Sequence, residues 1–176
     1  MIDGRITIAD IAAQYRKGGI YNNKYQVLID PPKNIYTSEF TKKLWVLSKS
    51  ATIPKKSTKP KTINIHGVPV TFKGQFDYGE STSIEVYEDS ELNVLKTLEK
   101  WIEMSDGPTH SWDKEYYNGS ISVFQLDGEG NRLYGVKYLD VFLTEIGEIK
   151  YTGDSGNLLT YTLNFSYSTW EVIDTL

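Results

Sequence analysis

The sequence has no cysteine, only two histidines and no long apolar run, and each scarcity excludes a class of protein. Without cysteine, disulfide bonds and thiolate metal sites cannot form. No apolar stretch approaches the ~20 residues of a membrane helix, and the N-terminal sequence MIDGRITIADIAAQ lacks the apolar segment of a secretory signal. We therefore expect a protein that is made, and kept or assembled, in a cytoplasm and that does not bind membranes.

An excess of basic charge is also missing. Lysine and arginine number 19 against 23 acidic residues, which gives a formal net charge of −4 and a pI near 5.2. Proteins that bind nucleic acid carry clusters of excess lysine and arginine, so the acidic net charge argues against nucleic-acid binding as the main role. Aromatic residues are abundant instead, at 13% with 13 tyrosines, and they suit half-buried strands and interfaces.

The apolar pattern predicts a mainly β (α+β) fold, an antiparallel β-barrel or sandwich with one amphipathic flanking helix. At the N-terminus, Ile8, Ile11 and Ala12 share one face of a short helix that Gly18-Gly19 ends. We accordingly expect a helical arm over residues 1–22 and a β domain over residues 23–176. Strands are predicted at Lys24–Asp30, Lys43–Ile53, Ile63–Phe72, Thr82–Val86, Gly119–Leu126, Arg132–Thr144, Glu148–Tyr151 and Leu159–Ser168.

Turn and helix signals separate these strands. Pro54–Pro60 is predicted to be a loop because its prolines cannot donate to a central ladder, and the alternation skips at Gly67, which indicates a bulge or a tight bend. Turns are predicted at Asp127–Asn131 and at Gly153–Gly156. A helix over Leu92–Met104, with Asp89 or Ser90 as its cap, would present on one face Leu92, Leu95, Leu98, Trp101 and Ile102.

Residues that carry chemistry are too scattered for a catalytic or metal site. His66 and His110 lie in unrelated segments, and we interpret them as a strand residue and a loop residue. The acidic residues fall where a helix begins or a hairpin turns, which favours capping and solvated turns over an acid–base pair. Those acidic residues are Glu85, Glu88, Asp89, Glu91, Glu145 and Glu148.

Two short motifs resemble a phosphate-binding loop and a glycosylation site, but each lacks the features that such a site needs. Gly128-Glu129-Gly130 lacks the lysine and the following helix of a phosphate-binding loop, so it reads as a turn. Asn118-Gly119-Ser120 matches a glycosylation signal, but no secretory signal accompanies it. We therefore predict no enzyme activity, no cofactor and no metal.

The last predicted strand has an unusual polar face. A freely solvated face normally includes lysine or glutamate, whereas this one carries only small neutral residues, which suit close packing against another subunit or the rim of a pore. Simple strand propensity explains the same residues and stays open as an alternative. The face consists of Thr160, Thr162, Asn164, Ser166 and Ser168.

The order of these elements resembles the tail tube proteins of contractile-tailed bacteriophages. The likeness covers most of the chain, from Tyr25 to Val172, and rests on the order and spacing of several weak motifs. Its segments are Leu44–Pro54, Lys61–Gly67, Phe76–Glu88, Glu91–Glu103 with its Trp101-Ile102 end, Tyr138–Ile149 and Leu158–Val172.

The resemblance implies a virion structural protein that forms hexameric rings. The rings would stack into a hollow tube whose wall is one continuous β-barrel from all six subunits, and long unpaired strand edges favour such closure. The implied partners are other copies, the tail sheath protein, a baseplate or tube initiator, and a tape measure protein in the lumen, with DNA passing without specific binding. The implied location is the virion tail, after assembly in the host cytoplasm.

The resemblance also suggests roles for particular residues. In such tubes a hairpin tip reaches the neighbouring ring, which would make the lysine-rich loop a ring-to-ring contact. On composition alone a solvated loop is favoured, and a nucleic-acid site would need aromatic residues or a helix that the loop lacks. Negative charge in the lumen would repel DNA over ~8–10 Å, with Glu85 and Asp140 as candidates. The loop comprises Pro54, Lys55, Lys56, Ser57, Thr58, Lys59, Pro60 and Lys61.

Three alternatives stay open. Two share the fold: a tube-initiating baseplate protein, and a tube subunit of a contractile injection or secretion system. The third is a monomeric β-sandwich that binds a glycan through exposed tyrosine and tryptophan, which predicts a stable monomer and a sugar-dependent melting temperature.

Overall fold

A computed structural model describes residues 20–35, 47–104, 114–151 and 156–173. The predicted N-terminal helix, His110 and most of the predicted Gly153–Gly156 turn lie outside the described residues. The described chain is mostly antiparallel β-structure, as predicted. Its strands are β1 (Tyr25–Asp30), β2 (Ser48–Ala51), β3 (Ser57–Thr58), β4 (Lys61–Ile65), β5 (Val68–Phe72), β6 (Phe76–Asp77), β7 (Ser81–Tyr87), β8 (Gly119–Leu126), β9 (Arg132–Ile146), β10 (Thr160–Ser166) and β11 (Thr169–Ile173), and its helices are α1 (Asn93–Glu103) and α2 (Lys114–Tyr117).

The main sheet has the strand order β1-β8-β9-β10-β7-β2, and β11 also pairs with β9. The long strand β9 divides this sheet into two halves: its first part pairs with β8 and β11, and its last part pairs with β10. The sheet stays open in the described chain, since β1 and β2 stand at the two ends of the order. The Tyr25 hydroxyl donates to the Ser48 carbonyl oxygen at 3.0 Å between those two strands.

Both halves of the sheet bury their apolar faces in one core with α1. Alternate residues of β1, β8, β7 and β10 face inward, as the period of a strand requires. The core residues from these strands are Val27, Ile29, Ile84, Val86, Ile121, Val123, Tyr161, Leu163 and Phe165. Helix α1 adds Val94, Leu98 and Trp101, and the Trp101 indole donates to the Tyr117 carbonyl oxygen at 2.9 Å.

The predicted final strand, Leu159–Ser168, is confirmed as β10, and a further strand follows it. The ladder of β10 with β7 ends at Ser166, after which the Tyr167 amide donates to the Glu80 carbonyl and the Ser168 amide to the Leu139 carbonyl. The chain therefore changes partner at this corner and continues as β11, which the sequence analysis missed. The prediction of a strand at Glu148–Tyr151 is wrong. The pairing of β9 with β10 ends at Ile146, and residues 147–151 form no strand.

Helix α1 lies within the predicted range, but its buried face differs. Leu92 has a left-handed backbone (φ 57°) at the cap position and is exposed, while Val94 takes a core position instead. The predicted capping by Asp89 is confirmed in part, because its Oδ1 accepts the Asn93 amide at 2.9 Å. Glu88 completes the cap: its carboxylate accepts the amides of Val94 and Leu95 at 3.3 and 3.1 Å.

We expect Glu88→Ala to lower the free energy of unfolding by about 1–2 kcal/mol, because it removes acceptors from two helix amides. The Tyr161 hydroxyl, which also donates to Glu88, would lose its partner. Urea unfolding measures the change. Glu99→Ala on the exposed face of α1 is the control and should shift stability far less; equal losses would contradict the capping role.

Candidate assembly surfaces

Between β2 and β7 the chain forms an extended excursion, here called the long hairpin (residues 52–80). β3 pairs with β6 at its base, and β4 pairs with β5 in its outer part. The two outer strands meet at His66-Gly67, whose positive φ values of 49° and 81° belong to a tight two-residue hairpin turn. The bend expected at Gly67 is therefore confirmed.

The predicted contact loop Pro54–Lys61 is not the tip of this hairpin. It forms the outgoing segment, and the interpretation of Pro54–Pro60 as an unpaired loop is wrong for Ser57–Thr58, which pair with Phe76–Asp77. The prolines flank this short pairing instead of interrupting it. His66, interpreted as a strand residue, lies in the turn at the tip.

The outer part of the long hairpin has one apolar and one polar face. The register places Ile63 opposite Val70, and Ile65 opposite Val68, on the same face. On the other face, the hydroxyls of Thr62 and Thr71 lie 3.0 Å apart. The apolar face, defined by Ile63, Ile65, Val68, Val70 and Phe72, is exposed apart from the half-buried Val70. A two-stranded ribbon is marginally stable alone, and an exposed apolar face of this kind is a candidate contact surface.

The base of the long hairpin is held by aromatic side chains of the core. On the outgoing segment, the Thr52 carbonyl oxygen accepts a hydrogen bond from the Tyr138 hydroxyl at 2.6 Å. On the returning segment, the Tyr78 carbonyl oxygen accepts two, from the Tyr167 hydroxyl and the Trp170 indole, each at 2.8 Å. Both segments are thus attached to the domain through backbone atoms.

The polar residues of β10 lie on one sheet face together with residues of β7. Ser166 pairs with Ser81, Asn164 with Ser83, and Thr162 with Glu85, while Ser168 lies at the corner beyond the strand. The face is therefore less neutral than β10 alone suggested. The two glutamates on this face, Glu85 and Glu145, nevertheless accept hydrogen bonds from neighbouring side chains.

Glu85 accepts from Lys49 at 2.7 Å, and Glu145 accepts from the Asn164 amide at 2.8 Å. The hydrogen bond to Glu85 raises the pKa of the Lys49 ammonium. Both glutamates are thus tied to neighbours that lie on the same sheet.

The two candidate lumen residues do not lie together. Glu85 is on the β7–β10 face, whereas Asp140 has a positive φ of 53° at the bend of β9, and its carboxylate lies 3.7 Å from the Lys114 ammonium. Asp140 was expected at a regular strand position. The extra residue in β9, three positions against two in β8, places it in a bulge instead.

The other acidic candidates also have partners: Glu91 accepts a hydrogen bond from the Asn93 side-chain amide at 2.7 Å, and the Glu148 carboxylate lies 3.4 Å from the Lys150 ammonium. The predicted turn at Asp127–Asn131 is confirmed: Asp127 Oδ1 accepts the amides of Glu129 and Asn131, each at 2.8 Å. Within the described residues, no three acidic or histidine side chains are grouped to hold a metal ion. In the same part of the chain, no helix is long and apolar enough to cross a membrane.

Two sets of functional candidates were not predicted from the sequence. The apolar face of the long hairpin was visible as an alternation but was assigned to an ordinary strand. The attachment by Tyr138, Tyr167 and Trp170 had no sequence signal, because the atoms they bind are backbone carbonyls far away in the chain.

Comparison with solved structures places the fold among proteins of contractile injection machines. A chain of the sheath–tube complex of an extracellular contractile injection system, PVC, in its extended state is 12% identical, with a TM-score of 0.63 and coverage of 96% of this chain and 99% of that one. A chain of the cap of the anti-feeding prophage is 11% identical, with a TM-score of 0.66 and full coverage of both chains. At these identities the likeness shows a common fold.

The family follows from the sequence itself. Residues 20–173 match the family described as phage tail tube protein, and the chain belongs to that family. It is a structural subunit of a tail tube and a component of the tail. A search of curated proteins finds no match.

The buried tyrosines predict an alkaline limit to stability. Burial raises the pKa of Tyr138 from 10 to about 12. Between those values the unfolded chain loses this proton and the folded chain keeps it, so the free energy of unfolding falls as pH rises. Urea unfolding at a series of pH values should show this fall, and Tyr138→Phe should make it shallower; an unchanged slope would contradict the assignment.

Proposed function

We propose that copies of this protein close into hexameric rings that stack into a hollow conduit inside a contractile sheath. The observation that carries the proposal is the apolar face of the long hairpin, which an isolated subunit leaves in contact with solvent. The β domain over residues 23–176 builds the ring, and residues 1–22 form a separate arm. The protein acts mechanically and catalyses no reaction.

Two strand edges support lateral closure of the ring. In the described chain, β2 pairs only with β7, and the last part of β9, Phe142–Ile146, pairs only with β10. These edges bound the same half of the sheet, β9-β10-β7-β2. Joining β9 of one subunit to β2 of the next would continue the ladder around the ring and remove both edges.

The polar face of this half-sheet then faces the lumen. It presents the small side chains Thr160, Thr162, Asn164 and Ser166, with Ser168 at the corner, and Glu85 is the acidic residue opposite Thr162. Hydroxyl groups with few charges give DNA phosphates little to bind, so DNA and a tape measure protein would pass without specific contacts. Asp140, at the bend of β9, is the second acidic residue that we propose for the lumen, although it lies apart from Glu85.

The long hairpin makes the ring-to-ring contact. Its apolar face would be buried on the next ring, and the outgoing segment Pro54–Lys61 would contribute charge. Residues 52–80 contain five lysines against Asp77 and Glu80, whereas the whole chain is acidic. A basic hairpin and an acidic remainder are complementary between copies, which supports stacking of identical rings.

The contractile sheath and a baseplate initiator are the further partners that we propose, with assembly in the host cytoplasm. The sheath–tube complex among the structural relatives supports a tube subunit of an injection machine as the second candidate. Of the described tryptophans, Trp101 and Trp170 are both buried, so a glycan site in this part of the chain would have to use exposed tyrosines such as Tyr134 and Tyr151.

Electron microscopy of the purified protein across a concentration series tests the proposal. We expect hollow rings or stacked tubes of constant bore. Monomers at every concentration would contradict the proposal that copies of this protein close into rings, and would make sugar-dependent melting the next measurement.

A pair of neighbouring substitutions tests the contact surface. Ile63→Lys places a charge on the apolar face, so we expect it to abolish stacked tubes because burying an unpaired ammonium is costly. Asn64→Lys adds the same charge on the opposite face and should leave tubes intact. Both side chains are exposed, so the melting temperature of the subunit should change little, and equal effects on tubes would contradict the assignment.

A further inference from the structure

The long hairpin is attached to the domain at the corner where β10 turns into β11. The three attaching side chains belong to the core: Tyr138, Tyr167 and Trp170 are 1%, 7% and 5% exposed. The rings of Tyr138 and Tyr167 also contact each other, with centroids 4.8 Å apart, so the attachments of the two segments are mechanically linked.

We propose that Tyr138, Tyr167 and Trp170 are positioning residues for ring stacking, which fix the direction of the long hairpin before a second ring arrives. This inference rests on the proposed role of the hairpin as the ring-to-ring contact. These residues do not touch the next ring themselves. They act by holding backbone carbonyls on both segments of the hairpin.

Contacts around the attachment restrict it further. Phe76 and Tyr78 pack edge-on against Trp170, with ring centroids 5.7 and 5.9 Å away. At Gly79, which has a φ of 72°, an added Cβ would lie 2.6 Å from the Tyr167 hydroxyl oxygen. Glycine is therefore required for the returning segment to approach that hydroxyl. Lys59 and Asp77, 3.5 Å apart, add an exposed ion pair between the two segments.

A fixed direction has a thermodynamic consequence for assembly. A hairpin that pivoted freely would lose conformational freedom each time it docked, and that loss would weaken every ring-to-ring contact. Attachment by buried residues incurs this cost once, during folding of the subunit. Each ring would then present its hairpins already oriented toward the next ring.

The double variant Tyr138→Phe/Tyr167→Phe tests the inference. It keeps both aromatic rings in the core but removes the two hydroxyl groups, one of which donates to the outgoing segment and the other to the returning segment. Tyr161→Phe is the matched control, because this tyrosine is also buried, at 3% exposure, and donates its hydroxyl to Glu88 at the start of α1 instead.

Two readouts are needed. Hydrogen exchange at the base of the hairpin, residues 57–59 and 76–79, should become about tenfold faster in dilute subunits of the double variant, because these amides adjoin the lost hydrogen bonds. Electron microscopy should show intact rings but fewer and shorter tubes. The Tyr161→Phe control should change neither the exchange of these residues nor the tube length.

The contradicting outcomes are distinct. Unchanged exchange in the double variant, faster exchange with normal tubes, or an equal effect of Tyr161→Phe would each overturn the positioning role. A wild-type protein that forms neither rings nor tubes would instead contradict the proposed function, and the inference about stacking would fail with it.

Discussion

The packing of two half-sheets over one core depends on the path of β9. This strand pairs with β8 and β11 before its bend and with β10 after it, so every strand of the main sheet connects through it. Two extra residues make the path possible, one near Asp140 in the pairing with β8 and one near Thr144 in the pairing with β10. Bulges of this kind bend a strand and increase its twist, which brings both apolar faces onto the same core.

The corner between β10 and β11 is the second consequence of that bend. Since β11 returns along the first part of β9, Tyr167 and Trp170 lie next to Tyr138. The same cluster that fills this part of the core therefore reaches the long hairpin. Three side chains thus connect the core of the subunit to the hairpin that we propose as the ring-to-ring contact.

Regular strands could be predicted from the sequence because their apolar alternation is uninterrupted. Strands β1 and β8, the turn at Asp127–Asn131 and the range of α1 were anticipated on this ground. In β9 the alternation fails: buried positions run Val136, Tyr138, then Val141, Leu143, because each bulge shifts the inward face by one residue. Strand β11 was missed for a related reason: the alternation shifts by one residue at the corner, where the buried residues Tyr167 and Trp170 are three positions apart.

What the sequence determined by itself is the mainly antiparallel β fold, the amphipathic helix and, through motif order, the tail tube family. These depend on local periodicity and composition, which each segment carries without reference to the rest. Only the tertiary structure decided that Pro54–Lys61 is a base and not a tip, that the hairpin exposes an apolar face, and that Glu85 lies beside the β10 hydroxyls while Asp140 lies in a bend. These properties depend on register and on contacts between residues distant in the chain, which no local pattern encodes.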